Sequence, residues 1–281
     1  MANRRVALVG CGMVGMSYAY ALLNSDLCNE LILIDINEEK ALGEAMDLNH
    51  GLCFSSSHMK IRAGSFEDCQ YADLVVITAS AGSRKPGQTR LDLLQKNVGV
   101  FKSFISKIVA SGFNGIFLVA SNPVDVMTRL TYELSGFPAN RVIGSGTTLD
   151  TARLRYLIGD YFQADPHSVH GYVIGEHGDS EFVPFSQLNL STKNVEEFFN
   201  DERFKDEYKR EDIEQIIEKV KTSGAEVIKL KGATYYGIGM SLVRITKAIF
   251  GDENSVITVS SRLNGEYGMR DVYLGLPAYI N

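Results

Sequence analysis

The sequence predicts an α/β fold: a doubly wound parallel sheet followed by a mixed α+β second domain. Three observations carry this. Short, almost wholly apolar runs recur at Val6–Val9, Leu31–Ile34, Leu74–Ile77 and Ile116–Ala120, with a weaker one at Arg141–Gly144. Strands that lack polar alternation are covered on both faces, as in a parallel sheet. Stretches of helical character alternate with them at Val14–Leu23, Glu38–Asn49 and Leu91–Ala110, the order that βαβ units require. The third observation is Gly10-Cys11-Gly12-Met13-Val14-Gly15, set directly between the first apolar run and the first helix.

A G-x-G-x-x-G pattern alone is weak, because glycine-rich turns are common. Here a strand precedes it, a helix follows, and an acid, Asp35, closes the second strand twenty residues past Gly15. Gly10 permits a tight turn, Gly12 the close approach of a pyrophosphate, and Gly15 the close packing of helix on strand. The helix N-terminus offers free N–H groups and a positive dipole end to the phosphates. A carboxylate at Asp35 accepts hydrogen bonds from an adenosine ribose diol and repels a 2′-phosphate. The expected cofactor is therefore NAD rather than NADP, bound by a Rossmann-type first domain over residues 1–144.

After Gly146 the texture changes. Thr148–Phe162 reads as a helix, and Ser168–Ile174 as a strand with polar interruptions. Val195–Glu218 is dense in both charge signs and reads as a solvated helical face or loop. Ile213, Ile216, Ile217 and Val220 follow helical spacing, so a core-facing helix begins there. Tyr236–Phe250 reads as a further helix, and Val256–Ser260 and Val272–Leu274 as strands. These elements form the second, substrate-binding domain, residues 145–281, and the cleft between the halves should hold the site.

Composition narrows the function classes. The chain has 281 residues, 45% hydrophobic and 22% charged, as an ordinary soluble globular protein does. A net charge of −6 argues against nucleic-acid binding. No apolar stretch approaches the ~20 residues that span a bilayer. Arg4-Arg5 precede only a four-residue strand and glycine, so no secretory signal is expected. Cys11, Cys28, Cys53 and Cys69 form no C-x-x-C pair and fit a reducing cytoplasm. His167, His170 and His177 do not follow zinc spacing, and no metal site is expected.

Three clusters carry chemistry. Gly82–Arg90 is polar and bounded by glycines after the Leu74–Ile77 run, as a closing lid would be. Asp150 and Arg153 lie three apart on a helix, so an acid and a guanidinium project together. A guanidinium recognises a carboxylate in two-pronged fashion, although a surface salt bridge is the blander reading. In Gly175-Glu176-His177-Gly178-Asp179 a histidine stands between glycines after an apolar strand, an exposed imidazole suited to proton transfer near neutral pH.

Together these motifs resemble the L-lactate/malate dehydrogenase family, and its bacterial L-lactate dehydrogenase branch most. The resemblance spans nearly the whole chain: Gly10–Gly15, Thr89–Leu93, Ser121-Asn122-Pro123-Val124-Asp125, Gly144–Arg153, Gly175–Asp179 and Lys231–Gly237. It implies reduction of pyruvate to L-lactate by NADH, in glycolysis and fermentation. It implies His177 as proton donor, Asp150 orienting it, Arg153 holding the substrate carboxylate and Arg90 polarising the carbonyl. Asn122 and Thr234 should line the substrate pocket. Met13, Val14, Lys40, Ala81, Gly82, Ser103, Ala120, Asn122 and Ser145 join Gly10, Gly12, Gly15 and Asp35 in the implied cofactor site. Arg155 and His170 match an Arg and a His that bind fructose-1,6-bisphosphate across a dyad in activated bacterial members, which implies a homo-oligomer, a tetramer by family pattern.

Two departures stand out. Arg84 occupies a position where lactate dehydrogenases usually carry Gln and malate dehydrogenases Arg, and Gln88 one where Glu is frequent. Arg84 would pair with a second substrate carboxylate, so malate dehydrogenase is the alternative. The family also continues past Gly-Leu-Pro-Ala-Tyr-Ile-Asn into further strands and a long C-terminal helix, which this sequence, ending at Asn281, does not contain. Two other readings compete. An NAD-dependent family-4 type glycosidase needs a metal held by Cys and His, and no such pair is evident. A silent NAD sensor would have lost the proton-transfer set.

Overall fold

The computed structural model describes residues 4–82 and 90–281, and at residues 90, 91 and 93 the backbone only. The first half alternates strand and helix: β1 (Arg5–Val9), α1 (Met13–Ser25), β2 (Glu30–Ile34), α2 (Glu38–Gly51), β3 (Lys60–Ala63), β4 (Leu74–Ile77), α3 (Arg90–Ala110), β5 (Ile116–Val119), α4 (Val124–Ser135) and β6 (Val142–Gly144). The second half adds α5 (Thr148–Tyr161), β7 (Val169–His170), β8 (Asn189–Leu190), β9 (Lys193–Asn194), α6 (Val195–Asn200), α7 (Arg210–Lys231), α8 (Tyr236–Gly251), β10 (Ser255–Asn264) and β11 (Arg270–Ile280).

The main sheet has eight strands in the order β11-β10-β6-β5-β4-β1-β2-β3. From β3 to β6 all pairing is parallel, with Val6 opposite Leu31 and Leu74. The order reverses between β1 and β4, which opens a crevice at the carboxyl ends of the strands. Alternation inside β1 explains its apolar run. Val6 and Leu8 join a core with α1, α2 and α8, whereas Ala7 and Val9 join a core with α3 and α4. Leu8, Leu31 and Leu33 are fully buried, and each such side chain stabilises the fold by about 1.5–3 kcal/mol.

The structure departs from the sequence reading in four places. β3 was not expected: its Lys60-Ile61-Arg62-Ala63 run sits at the sheet edge, where only Ile61 is buried. The Ser168–Ile174 strand shrinks to β7, because Thr147 Oγ1 donates to the Val173 carbonyl at 2.6 Å and Val173 N donates to Thr151 Oγ1 at 3.0 Å, in place of ladder bonds. The two short C-terminal strands are instead a hairpin of ten and eleven residues. Finally, β10 pairs antiparallel with β6, so the sheet itself draws strands from both sides of residue 145. Among the described residues no helix is long and apolar enough to cross a membrane. Cys11, Cys28 and Cys69 are buried free thiols and Cys53 is an exposed one.

Candidate active site

The crevice is built by loops at the ends of β1, β4, β5 and β6. After β1, Gly10 adopts φ +105°, and a Cβ there would lie 2.5 Å from Ala79 N. At Gly15 a Cβ would lie 2.1 Å from the Gly10 carbonyl oxygen, so only glycine lets α1 approach β1 this closely. Gly12 behaves differently: nothing stands within 4 Å of an added Cβ, and no side chain caps α1. The free amides of the first turn of α1 therefore face open space, as a pyrophosphate cradle requires.

Asp35 ends β2 beside this turn. Its carboxylate accepts from Cys11 N at 2.7 Å and from Asn37 N at 2.9 Å, which anchors the glycine loop and aims both oxygens along its rim. The same acid also burdens the thiol next to it: burial, then the Asp35 charge, push Cys11 up to about 12. The strand-end loops are cross-linked. Thr78 Oγ1 donates to the Gly10 carbonyl at 2.7 Å and Ser121 Oγ to that of Ala79 at 2.6 Å. Buried Asn97 of α3 accepts from Ala81 N at 2.7 Å and donates to the Asn122 carbonyl at 2.9 Å.

Below the crevice lies a cavity with about 260 Å³ of open space. Val14, Ala120, Asn122 and Ser145 line one side of it, and Asp150, Arg153, His177 and Thr234 form a polar floor. Leu149, Ile228 and Ile238 supply apolar walls. Thus Ala120, Asn122, Ser145, Asp150, Arg153, His177 and Thr234, far apart in the chain, meet around one cavity. Among the remaining expected cofactor residues, Met13 is exposed at the start of α1, and Ala81 and Gly82 are exposed beyond β4. Lys40 is exposed on α2 with its amide capped by Asn37 Oδ1 at 3.0 Å, and Ser103 bonds the Val100 carbonyl of its own helix at 2.6 Å. Neither lines the cavity. Arg84 and Gln88 lie outside the described residues, as does the side chain of Arg90.

Asp150 sits in the first turn of α5, where the helix dipole favours an anion. It is 1% exposed. One oxygen accepts from the Arg153 guanidinium at 2.7 Å and the other from His177 Nδ1 at 2.6 Å. Burial disfavours its charge, but the hydrogen bonds and charges of His177 and Arg153 outweigh it, and its pKa lies below the ordinary carboxylate value. For His177 burial again opposes ionisation, yet Asp150 and Glu181 overcome it and raise the imidazole above its usual range. With Nδ1–H committed to Asp150, Nε2 is the nitrogen left to exchange a proton.

The His177 loop is held from both ends. Ile174 and Phe182 exchange backbone bonds at 2.9 Å, and Gly175 and Gly275 do the same, tying the loop to β11. Gly175 and Gly178 flank Glu176 and His177 with φ +103° and +142°, a conformation that side chains disfavour. Two buried acids beside His177 carry no clear signal in the sequence. Asp125 on α4 accepts from His177 N at 3.0 Å and from Ser260 Oγ at 2.5 Å, and burial raises its pKa. Glu181 is 2% exposed and lines the cavity, 3.8 Å from His177 Nδ1. Its only sequence signal was its place four residues after His177.

Arg155 and His170 do not join this cavity. Arg155 projects from another face of α5 into a separate hollow of about 540 Å³, shared with Tyr172 and Arg244. Its guanidinium lies 5.9 Å over the Tyr172 ring, and among the described residues its buried Nε finds no hydrogen-bond partner. His170 is exposed on β7.

Comparison with known proteins gives a consistent result. Residues 4–144 match the family model for the lactate/malate dehydrogenase NAD binding domain, and residues 147–281 that for the lactate/malate dehydrogenase alpha/beta C-terminal domain. L-lactate dehydrogenase 2 of Bacillus cereus is 53% identical over 277 residues, covering 99% of this chain and 87% of the relative. The minor L-lactate dehydrogenase of Enterococcus mundtii in its ligands-bound crystal form superposes with a TM-score of 0.96 at 47% identity, covering 100% of this chain and 88% of that one. A lactate dehydrogenase from a Medee basin deep-sea metagenome library gives 0.95 at 52% identity, with the same coverage.

Proposed function

We infer the reaction from one premise: the chain belongs to the lactate/malate dehydrogenase family. It is an NAD-dependent oxidoreductase of the L-lactate dehydrogenase type, and the relatives at 50–53% identity place it with lactate rather than malate dehydrogenases. The observation that carries the mechanism is the buried Asp150 holding both His177 and Arg153 beside one small cavity.

The open face at Gly12, the uncapped α1 and the placement of Asp35 fit a dinucleotide. Bound there, NADH supplies the hydride that reduces the substrate. The chain's own residues do the rest. Arg153 turns the guanidinium edge not engaged by Asp150 to the pyruvate carboxylate, a charge-assisted pair that fixes orientation. His177, protonated, gives the Nε2 proton to the oxygen of the 2-oxo group as that oxygen becomes the hydroxyl of L-lactate. Asp150 keeps the ring in place and stabilises the imidazolium that waits for substrate. Leu149, Ile228 and Ile238 keep the reacting carbonyl away from water, where polar contacts are stronger. The Arg90 side chain would complete the set by polarising the carbonyl.

Steady-state rates with NADH and either pyruvate or oxaloacetate test the substrate. Higher kcat/KM for pyruvate is expected, and preference for oxaloacetate would return the malate reading that Arg84 suggested. The working form in this proposal is a cytoplasmic homotetramer. Arg155 and His170 from two subunits would form an anion site for fructose-1,6-bisphosphate, and the buried Arg155 Nε, without a hydrogen-bond partner among the described residues, supports a missing anionic partner. The sugar bisphosphate should lower the pyruvate KM. A flat titration at low pyruvate, or one untouched by Arg155→Ala, rules this out.

A further inference from the structure

The Nδ1 edge of His177 faces two buried carboxylates, and the mechanism uses one. Asp150 takes the hydrogen bond at 2.6 Å. Glu181 Oε2 stands 3.8 Å from the same nitrogen, and its other contact, from Gly178 N, is long at 3.4 Å. Glu181 Oε1 is buried and, among the described residues, has no hydrogen-bond partner. A weakly solvated carboxylate in this setting is a cost to the fold, since an unsatisfied buried polar group is destabilising. The loop positions it at that cost: Glu181 N donates to the Gly178 carbonyl at 3.3 Å, folding residues 178–181 back beneath the imidazole.

We propose that Glu181 is a positioning residue for proton transfer, a second carboxylate that favours the charged imidazolium and keeps His177 in its proton-donating form as pH rises. This rests on the reading of His177 as proton donor. Among the described residues, the charged groups around the ring are Asp150 and Arg153 from α5, Asp125 from α4 behind its backbone amide, and Glu176 and Glu181 from its own loop. Lys221 from α7 lines the same cavity, its ammonium 2.8 Å from Glu218. Among these, Glu181 and Asp150 are the carboxylates within 4 Å of Nδ1. Burial raises the Glu181 carboxyl, with the nearby Asp150 charge adding to the rise, while the His177 ring opposes it.

Glu181→Gln keeps the shape and removes the charge. The alkaline limb of kcat/KM for pyruvate reduction is expected to move down by about one pH unit, the lower end of the shift an opposite charge at this range produces. The acid limb of L-lactate oxidation, which needs neutral His177, should move down by the same amount. At neutral pH oxidation therefore gains as reduction at high pH declines, whereas simple damage to the loop would lower both. Glu181→Asp, one methylene shorter, should show a smaller shift of the same sign and serves if the Gln variant does not fold. Profiles of either variant that superpose on the parent overturn the proposal. His177→Gln separates the two failures: if it reduces pyruvate like the parent, the proton-donor reading falls. If it is inactive while the Glu181 profiles superpose, only the role of Glu181 falls.

Discussion

Replacing Asp150 by Asn tests the centre of the mechanism, because this side chain serves two partners at once. The amide preserves the volume, so the 1% exposed pocket should still close. The charge is lost, and among the described residues only Glu181, 3.8 Å from Nδ1, is then left to offset part of the burial of the imidazolium. His177 should fall from above its ordinary value to about one unit below 6.5, leaving about 3% imidazolium at pH 7, roughly a 30-fold loss. Arg153 loses its 2.7 Å charge-assisted bond, worth about 1.5–3 kcal/mol, and with it about 10–100-fold in carboxylate positioning. The product is a drop in kcat/KM for pyruvate of about 300–3,000-fold at pH 7. NADH absorbance from pH 5 to 8 measures it, and fluorescence titration should find NADH affinity unchanged. The protonation share is recoverable: lowering the pH to 5.5 should restore about tenfold relative to the parent. A loss under about tenfold, or a deficit independent of pH, would refute the reasoning.

Three further outcomes are expected. Asp35→Ala should narrow the preference for NADH over NADPH in kcat/KM. It should also lower stability by about 1–3 kcal/mol in urea melts, since Cys11 N and Asn37 N lose their acceptor. The His177 ion pair should be visible in stability against pH. Its folded value is raised above the unfolded 6.5, so the contribution is fully present below 6.5 and is lost as pH rises toward about 10. Thermal melts from pH 6 to 9 should fall more steeply for the parent than for His177→Gln, and parallel curves would contradict the pairing. Arg84→Gln should raise the ratio of pyruvate to oxaloacetate efficiency by about tenfold or more, the worth of one charge-assisted pair, and an unchanged ratio would show that Arg84 does not reach substrate.

The sequence by itself determined whatever depends on local periodicity or on a single backbone demand. β1, β2, β4 and β5 were legible because strands covered on both faces need unbroken apolar runs. Gly10 and Gly15 were legible because no other residue fits their turn and packing. Asp150 and Arg153 were legible as a pair because helical geometry sets i and i+3 side by side, and His177 because glycines flank it. The assembled form of the motifs, not any one residue, pointed to the family.

Tertiary structure decided what depends on partners distant in the chain. The Lys60–Ala63 strand has only one covered face at the sheet edge and so carries no apolar run. The length of β10 and β11 was set by their mutual pairing and by β6. Asp125 acquires its role from His177, 52 residues on, and Ser260, 135 residues on. Glu181 reads in sequence as one acid among many. Folding removes it from water, sets it 3.8 Å from His177 Nδ1, and leaves one of its oxygens without a partner among the described residues. A carboxylate's chemistry follows from its solvation and its neighbouring charges, and both exist only once the chain has closed around it.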